Sequence, residues 1–262
     1  MSTLTSTTST TRPTLGTGDV GKSYFETDSN KILVWDGTGW NEWNADAVLS
    51  PGFNNNYSVN FDGGDDHMTF TSFNAGSTKT LSMWIKLDTI SSAGIYLFGG
   101  TLNYYAYLTS NGQTIYIYDG GVTALTLGST HAVTTGTWTH LAVVGSGGTA
   151  ALYKDGVSRA TGTDRSPSGL SRLGGSSNGG SRFVDGLIDE VAWWNSALTA
   201  PDISNIYNGG TPDDLSSYNP VNWWRMGDND LGTGTTITDQ GSAGNDGTLV
   251  NGPSFSSTVA PN

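Results

Sequence analysis

The sequence predicts an all-β protein in which two antiparallel sheets face each other as a sandwich. One observation is composition: only three of the 23 acidic residues are glutamates, and glycine accounts for 37 of the 262 residues. Aspartate and glycine favour turns, whereas glutamate favours helix interiors. The other observation is a series of short runs in which apolar and polar residues alternate, with turn signals between them. A helical bundle is excluded on these grounds.

The strands that would form the sandwich lie in the larger, C-terminal part of the chain. Every second residue from Leu81 to Leu87 is apolar, and 114–118 places two isoleucines opposite two tyrosines. Strands are predicted over residues 58–61, 80–87, 114–118, 139–144, 150–159, 186–194 and 247–250. One short helix is predicted over 199–208, with Thr199 as its N-cap.

The chain divides into four predicted segments. Residues 1–15 form a flexible Thr/Ser-rich arm, and residues 16–46 form a small β meander of three short strands. Residues 47–56 form a linker, and residues 57–262 form the sandwich. A meander of this size is not stable alone in water. We therefore expect it to assemble with other copies of the chain, with a trimer favoured, or to attach to a larger particle.

Charge and composition exclude several classes of partner. The net charge of −12 and the sequence pI near 4.3 argue against nucleic acid and anionic membrane. No apolar run approaches the roughly 18 residues of a membrane-spanning helix, so no membrane insertion is expected. The absence of cysteine excludes disulfides, thiolate zinc sites and cysteine nucleophiles. A surface rich in aspartate is compatible with calcium.

A series of short sequence words extends through the predicted sandwich. The words are Phe61–Asp65, Leu81–Lys86, Trp138–Val143, Leu152–Gly156, Leu173–Gly174, Phe183–Val191, Trp194–Thr199 and Ile206–Gly210. In this order they resemble the laminin-G-like domains of the concanavalin A-like superfamily of lectins and glucanases. The resemblance implies a two-sheet jelly roll and contact with carbohydrate of the kind that lectins make.

The segment 223–252 departs from the pattern of this family. It looks like the segment that usually precedes the first strand of such domains, but here it follows the last one. The strand-like run Gly247–Val250 favours the interpretation that the segment folds back and closes the same sandwich. The alternative is that the segment begins a unit that has been lost.

The predicted N-terminal meander carries a second resemblance. The segment Asp19–Lys31, followed by Trp35–Trp40, is similar to short repeats in bacteriophage tail-fibre and virion proteins. This resemblance implies a protein displayed on the virion surface, on a capsid or a tail. Other virion proteins would then be partners of the N-terminal segment.

Four acidic residues are candidate calcium ligands: Asp62, Asp65, Asp189 and Glu190. Calcium binds six to eight oxygen atoms from carboxylates, carbonyls and water. Asp62 and Asp65 lie in one turn, and the laminin-G resemblance implies that the strand with Asp189 and Glu190 packs nearby. It also implies that some such domains bind calcium at this edge. The alternative is that the aspartates only shape the turn, while Asp189 is a buried hydrogen-bond acceptor.

Aromatic residues beside asparagine or aspartate are candidates for sugar binding. Tyr105 and Tyr107 share one strand face close to Asn103, and Trp194 follows a second tryptophan on a predicted strand. Aromatic rings stack on the apolar side of a sugar ring, while polar side chains bond its hydroxyls. The alternative for each aromatic residue is core packing, because large aromatic side chains are highly buried on average.

The sequence shows no pair of carboxylates suited to glycan cleavage. Retaining glycosidases need two carboxyl groups about 5 Å apart. Glu190 has Ile188 and Ala192 two residues away, and its neighbour Asp189 is expected to point to the opposite face of the strand. Without GxSxG or HExxH motifs, serine and zinc hydrolysis also lack support. We interpret the chain as non-catalytic.

The preferred hypothesis combines the two resemblances. The chain would be a virion-associated protein whose lectin-like domain contacts dissolved or cell-surface glycans. One alternative is a purely structural decoration or cement protein of the capsid. A second alternative is a polysaccharide-active jelly-roll hydrolase.

Overall fold

The computed structural model divides the chain into two compact units, Met1–Asn54 and Asn55–Asn262. In the part of the chain that it describes, no helix is long and apolar enough to span a membrane. The structure describes residues 5–8, 10–19, 22–27, 31–35, 38–43, 53–100, 104–175 and 182–261.

The N-terminal unit contains a four-stranded sheet in the order β1-β2-β3-β4. Its strands are β1 (Thr5–Thr7), β2 (Ser23–Glu26), β3 (Lys31–Trp35) and β4 (Trp40–Trp43). The last three form the predicted antiparallel meander. The segment predicted as an arm contributes β1, which pairs in parallel with β2. The β-branched threonines of β1 suit an extended backbone.

The loop between β1 and β2 is fixed to the sheet by polar and aromatic contacts. Arg12 Nε lies 2.6 Å from Glu26 Oε1, and Glu26 is buried. The indole Nε1 of Trp35 donates to the Gly16 carbonyl at 2.9 Å. The Trp40 ring meets Trp35 edge to face at 5.5 Å. These contacts hold a unit in which Leu33 is buried.

The C-terminal unit is a sandwich of two antiparallel sheets, which confirms the predicted fold class. The first sheet has the strand order β14-β13-β12-β7-β16-β5-β20, with β17 on β16; the second has the order β11-β10-β9-β8-β15-β6-β19-β18. The strands of the first sheet are β5 (Ser58–Asp62), β7 (Lys79–Thr89), β12 (Thr139–Ser146), β13 (Thr149–Lys154), β14 (Val157–Thr163), β16 (Asp185–Trp194), β17 (Asn222–Trp224) and β20 (Ser254–Ser256). Those of the second are β6 (His67–Phe73), β8 (Ile95–Gly100), β9 (Tyr104–Leu108), β10 (Thr114–Asp119), β11 (Val122–Thr126), β15 (Leu170–Leu173), β18 (Thr236–Ile237) and β19 (Gly247–Val250).

The core lies between the two sheets and follows the alternation read from the sequence. On β7, Met83, Ile85 and Leu87 are at most 1% exposed and face the second sheet. Phe70 of the second sheet meets the fully buried Trp224 of the first at 4.7 Å. Side chains two residues apart on a strand share a face. The residues between them therefore point to the outer face of the sheet, where the predicted helix covers Trp84 and leaves Lys86 partly exposed.

The segment after the helix adds strands to both sheets. Strand β17 pairs with β16 and β20 pairs with β5 in the first sheet, whereas β19 pairs with β6 in the second. The sandwich is thus closed from the C-terminal side. The predicted helix is α1 (Ala200–Tyr207), whose N-cap Thr199 forms a capping box with Asp202. Tyr207 of α1 stacks on Trp84 of the first sheet.

Strand β16 bends at Glu190 and brings two consecutive carboxylates together. We expected Asp189 and Glu190 to point to opposite faces, and this prediction is wrong. Glu190 has a left-handed φ of 45°, and the pairing of β16 with β7 shifts register between Asp189 and Ala192. As a result, carboxylate oxygens of Asp189, Glu190 and Asp228 lie within 4.8 Å of one another.

Asp189 joins the two ends of the sandwich unit. Its Oδ2 accepts hydrogen bonds from Asn55 Nδ2 at 2.9 Å and from the Ala260 amide at 3.1 Å. Its Oδ1 accepts the Glu190 amide at 2.9 Å. Burial raises the pKa of Asp189 well above its usual value, and the nearby Glu190 carboxylate raises it further. These contacts agree with the alternative interpretation, in which Asp189 is a buried hydrogen-bond acceptor.

Glu190 holds the C-terminal segment through two further side chains. Its Oε2 accepts Trp223 Nε1 at 2.6 Å, and its Oε1 accepts Arg225 Nε at 3.0 Å. Burial raises the pKa of Glu190 to about 7, although the Arg225 guanidinium opposes the shift. Arg225 also reaches Asp228, whose Oδ1 accepts the Asn56 amide at 2.7 Å. One buried network therefore connects the first and last residues of the sandwich with β16.

We expect Glu190 to make the protein less stable as the pH rises from about 4.5 to about 7. The folded state keeps the Glu190 proton up to a pH of about 7, whereas the unfolded chain releases it near the ordinary value of 4.5. Urea unfolding of the wild type and Glu190→Gln at several pH values measures this effect. The wild type should lose stability relative to the variant across the window, because glutamine carries no titratable proton. The single amide oxygen of glutamine can accept from only one of Trp223 and Arg225, which lowers the stability of the variant by an amount that does not depend on pH in this window.

Both proteins contain His140, so their comparison cancels the effect of His140 on the pH dependence of stability. That effect is opposite in sign to the effect of Glu190. His140 is fully buried, and burial lowers its pKa to about 4, so it costs stability as the pH falls. A stability difference between wild type and Glu190→Gln that stays constant, or that grows in favour of the wild type with rising pH, would contradict the prediction.

Candidate functional site

Five tyrosines lie together on the outer face of the second sheet, and we call this surface the tyrosine face. Its members are Tyr96 on β8, Tyr105 and Tyr107 on β9, and Tyr116 and Tyr118 on β10. All five are partly exposed, whereas residues that alternate with them on these strands, such as Ile95, Leu108, Ile115 and Ile117, are buried in the core. The alternation of each strand therefore places its tyrosines outside.

Strand register brings the rings of the tyrosine face into contact. Tyr107 is the direct cross-strand partner of both Tyr96 and Tyr116, and Tyr105 is the partner of Tyr118. The Tyr105 and Tyr118 rings stack at 5.2 Å with an interplanar angle of 9°. The Tyr107 and Tyr116 rings stack at 6.0 Å. Each ring thus restricts its neighbour before any ligand arrives.

Polar groups fix the edges of the tyrosine face. The Tyr107 hydroxyl donates to the Ala93 carbonyl at 2.7 Å. The Arg182 guanidinium lies over the Tyr107 and Tyr96 rings, 5.0 Å and 5.5 Å from their centroids. Burial raises the pKa of Tyr105, so its phenol stays protonated and can donate as well as accept hydrogen bonds at neutral pH.

The structure agrees only in part with the sugar-binding residues predicted from the sequence. Tyr105 and Tyr107 belong to the tyrosine face, whereas Asn103 lies outside the described residues. Trp194 is 1% exposed, and its Nε1 donates to the Tyr218 carbonyl at 3.0 Å. It therefore cannot stack on a sugar, and its prediction as a binding residue is wrong.

Three members of the tyrosine face were missed as site residues. Tyr116 and Tyr118 had a usable signal, because they alternate with isoleucines in the sequence. Tyr96 stands between Ile95 and Leu97, but this stretch was not predicted as a strand, and its place beside Tyr107 depends on the pairing of β8 with β9. The sequence predicts which residues share a strand face, but it does not predict which strands are neighbours.

The four predicted metal ligands belong to two different acidic groups. Asp62 and Asp65 form one group with Asp66, and the carboxylate oxygens of these three lie within 4.8 Å of one another. Asp189 and Glu190 belong to the buried network around Arg225. Neither described group contains all four residues, so the single site expected at this edge is not formed.

The group of Asp62, Asp65 and Asp66 fits a hard cation. Asp66 is 3% exposed, and burial together with the Asp62 and Asp65 carboxylates raises its pKa. A bound cation would neutralise this repulsion. Asp62 Oδ1 accepts the Gly64 amide and Asp66 Oδ2 accepts the Asp62 amide, which leaves other carboxylate oxygens for a metal. Carbonyls and water would complete the coordination sphere.

The group of Asp189, Glu190 and Asp228 does not fit a cation. Its carboxylates already accept hydrogen bonds from the protein, and the Arg225 guanidinium supplies the positive charge. Asp189 and Glu190 are 0% and 3% exposed. Although the two carboxylates converge, they meet in the protein interior and not in an open cleft where a glycan could reach them.

Several known structures are similar to parts of this chain. A Bacteroides ovatus protein described as carbohydrate-binding is 20% identical, has a TM-score of 0.58, and aligns over 77% of this chain and 59% of its own. A Limulus polyphemus pentraxin is 20% identical with a TM-score of 0.46, covering 58% of this chain and 82% of its own. Domain 4 of a Geobacillus stearothermophilus arabinanase, solved with arabinotriose, is 20% identical with a TM-score of 0.47, covering 57% and 76%.

The chain thus spans 59% of the length of the Bacteroides ovatus structure, and at 20% identity that likeness shows the fold. No curated protein matches the chain significantly. A family model described as the concanavalin A-like lectin/glucanases superfamily matches residues 62–204. This match covers more than half of the chain and includes most strands of both sheets. The protein belongs to the laminin-G-like family of the concanavalin A-like lectin/glucanases superfamily.

Proposed function

We propose that the sandwich unit binds carbohydrate on the tyrosine face. The observation that carries this proposal is the set of five partly exposed tyrosines whose rings contact one another across three strands. Phenol rings offer apolar surface for the C–H groups of a sugar, and their hydroxyls can donate and accept hydrogen bonds. Membership of a superfamily that includes lectins supports the same conclusion.

The side chains of the tyrosine face are already ordered, which favours binding because a ligand would restrict them little further. Cross-strand stacking holds Tyr105 against Tyr118 and Tyr107 against Tyr116, while Arg182 covers Tyr107. Ordering of flexible side chains is a main cost of association, and a pre-ordered surface avoids it. The apolar surface extends to the next strand, because Val122 is the direct partner of Tyr118 and is 54% exposed.

The name of the Bacteroides ovatus structure agrees with this proposal, since that protein is described as carbohydrate-binding. The proposal for the present chain rests on its own tyrosines. Association with a virion surface, assembly as a trimer and the absence of catalysis stay predictions. The first two rest on the resemblance of 19–40 to fibre repeats. The roles of capsid cement and of polysaccharide hydrolase stay the alternatives.

We expect Tyr105→Ala and Tyr118→Ala each to weaken glycan binding by about tenfold, because each variant removes one ring of a stacked pair. A glycan array with the wild type identifies the ligand, and calorimetry with that glycan measures the affinity of each variant. Tyr218→Ala is the matched control, since Tyr218 is also partly exposed but lies outside the tyrosine face. Undiminished binding by both tyrosine-face variants would contradict the proposed site.

We propose calcium as the cation for Asp62, Asp65 and Asp66, because the three groups offer only oxygen atoms. Calcium should raise the thermal midpoint of the wild type, and a chelator should reverse the rise. Asp66→Asn should be more stable than the wild type without calcium, because the buried Asp66 carboxylate is electrostatically unfavourable. The same variant should lose the response to calcium, and thermal unfolding with and without the ion measures both effects.

Asp213→Asn is the control for this experiment, since Asp213 lies outside the acidic group. It should respond to calcium as the wild type does. A calcium response of Asp66→Asn equal to that of the wild type would show that the ion does not bind at this group.

A further inference from the structure

A polar groove lies on the outer face of the first sheet, on the side of the sandwich opposite the tyrosine face. Its volume is about 480 Å³, and it is open to solvent. The side chains that line it include Asn60, Lys86, Asp88, Leu187, Ser256 and Thr258. All of them lie in the sandwich unit, and none belongs to the tyrosine face or to the group of Asp62, Asp65 and Asp66.

Strand register explains why these residues lie side by side. Ser254 of β20 pairs with Asn60 of β5, Asn60 pairs with Leu187 of β16, and Leu187 pairs with Lys86 of β7. The four residues thus form one row across four strands on the outer face. Leu187 is 7% exposed and lies between the side chains of Asn60 and Lys86.

The wall of the groove is formed by the C-terminal segment and is held in place. Ser58 Oγ donates to the Thr258 carbonyl at 2.9 Å, and the Thr258 amide donates to Ser256 Oγ at 3.0 Å. Two residues further on, the Ala260 amide is bonded to the buried Asp189. The groove is therefore a preformed feature of the sandwich and does not depend on a mobile chain end.

We propose that this groove is a second binding site, for a neutral saccharide of one or two rings. The serine and threonine hydroxyls and the Asn60 amide offer both donors and acceptors, as a polyhydroxylated ligand requires. Lys86 donates and Asp88 accepts, so the groove carries both signs of charge. Leu187 exposes little apolar surface there, so hydrogen bonds would supply most of the binding.

An anionic ligand fits less well than a neutral one. Asp185 lies two positions from Leu187 on the same face of β16, so a further carboxylate stands at one end of the groove. With Asp88 it outnumbers Lys86, and like charges in one site disfavour binding. The proposal does not rest on the tyrosine face, because the two surfaces lie on different sheets.

Nuclear magnetic resonance of the full-length ¹⁵N-labelled protein tests the groove and the tyrosine face separately. The neutral probes are cellobiose, lactose and maltose, and the anionic probes are glucuronic acid and glucose 6-phosphate. Each is titrated to about 10 mM, which would nearly saturate a site with a Kd of about 1 mM. At least one neutral probe should shift the amide signals of Asn60, Lys86 and Leu187 in a saturable way, and more strongly than either anion.

Variants assign the binding to the groove. Asn60→Leu should weaken that probe about tenfold, because it removes a hydrogen-bonding group of the groove. Ser256→Val should weaken it at least as much, because Ser256 Oγ also accepts the Thr258 amide and so holds the wall. Ser217→Val is the matched control, since Ser217 is an exposed serine that does not line the groove. It should bind the probe with the affinity of the wild type.

Several outcomes would overturn the proposal. They are the absence of saturable shifts at the three groove amides, tighter binding of the anionic probes, and equal affinities of Asn60→Leu, Ser256→Val and the wild type. Shifts confined to Tyr105 and Tyr118 would overturn the groove while supporting the tyrosine face. Shifts confined to the groove would support the groove and count against the tyrosine face. Failure of one site is therefore distinguishable from failure of the other.

Discussion

The bend of β16 at Glu190 is the constraint on which the rest of the sandwich depends. A left-handed residue in a central strand turns two consecutive carboxylates toward one buried place. There Asp189 binds the start and the end of the unit, through Asn55 and Ala260. Glu190 binds the side chains of Trp223 and Arg225 in the C-terminal segment. Burial of three carboxylates beside one guanidinium is electrostatically costly, and the contacts that it fixes bring the segment after α1 into both sheets.

The network positions the wall of the groove indirectly. Closure by the C-terminal segment supplies the wall of the groove at Ser256 and Thr258, and it adds β19 to the sheet that carries the tyrosine face. The two surfaces differ in chemistry. Stacked phenols that are already ordered form one, and hydroxyls, an amide and charges of both signs around Leu187 form the other.

The fold was predictable because the alternation of apolar and polar residues is a local pattern. The sites were less predictable because they depend on which strands are neighbours, and this pattern does not determine that. Alternation along β7 predicts that Met83, Ile85 and Leu87 face the core, and all three are buried there. The same rule failed at Asp189 and Glu190, because a left-handed φ interrupts the alternation and nothing in the local sequence marks it. The groove requires strand neighbours that are distant in sequence, as the pairing of Asn60 with both Ser254 and Leu187 shows. The strands of the tyrosine face follow one another along the chain, but the cross-strand register that brings the rings together is not visible in the sequence.

Native-state hydrogen exchange tests most directly whether the buried network joins the ends of the sandwich into one cooperative unit. Amides that open only when the whole unit unfolds share its free energy of unfolding, whereas fraying ends exchange at a smaller one. We predict that the amides of Glu190, Trp223 and Ala260 exchange with the same opening free energy as the central amides of β7. An Ala260 or Trp223 amide that exchanges through a much smaller local opening, while β7 stays protected, would contradict this account.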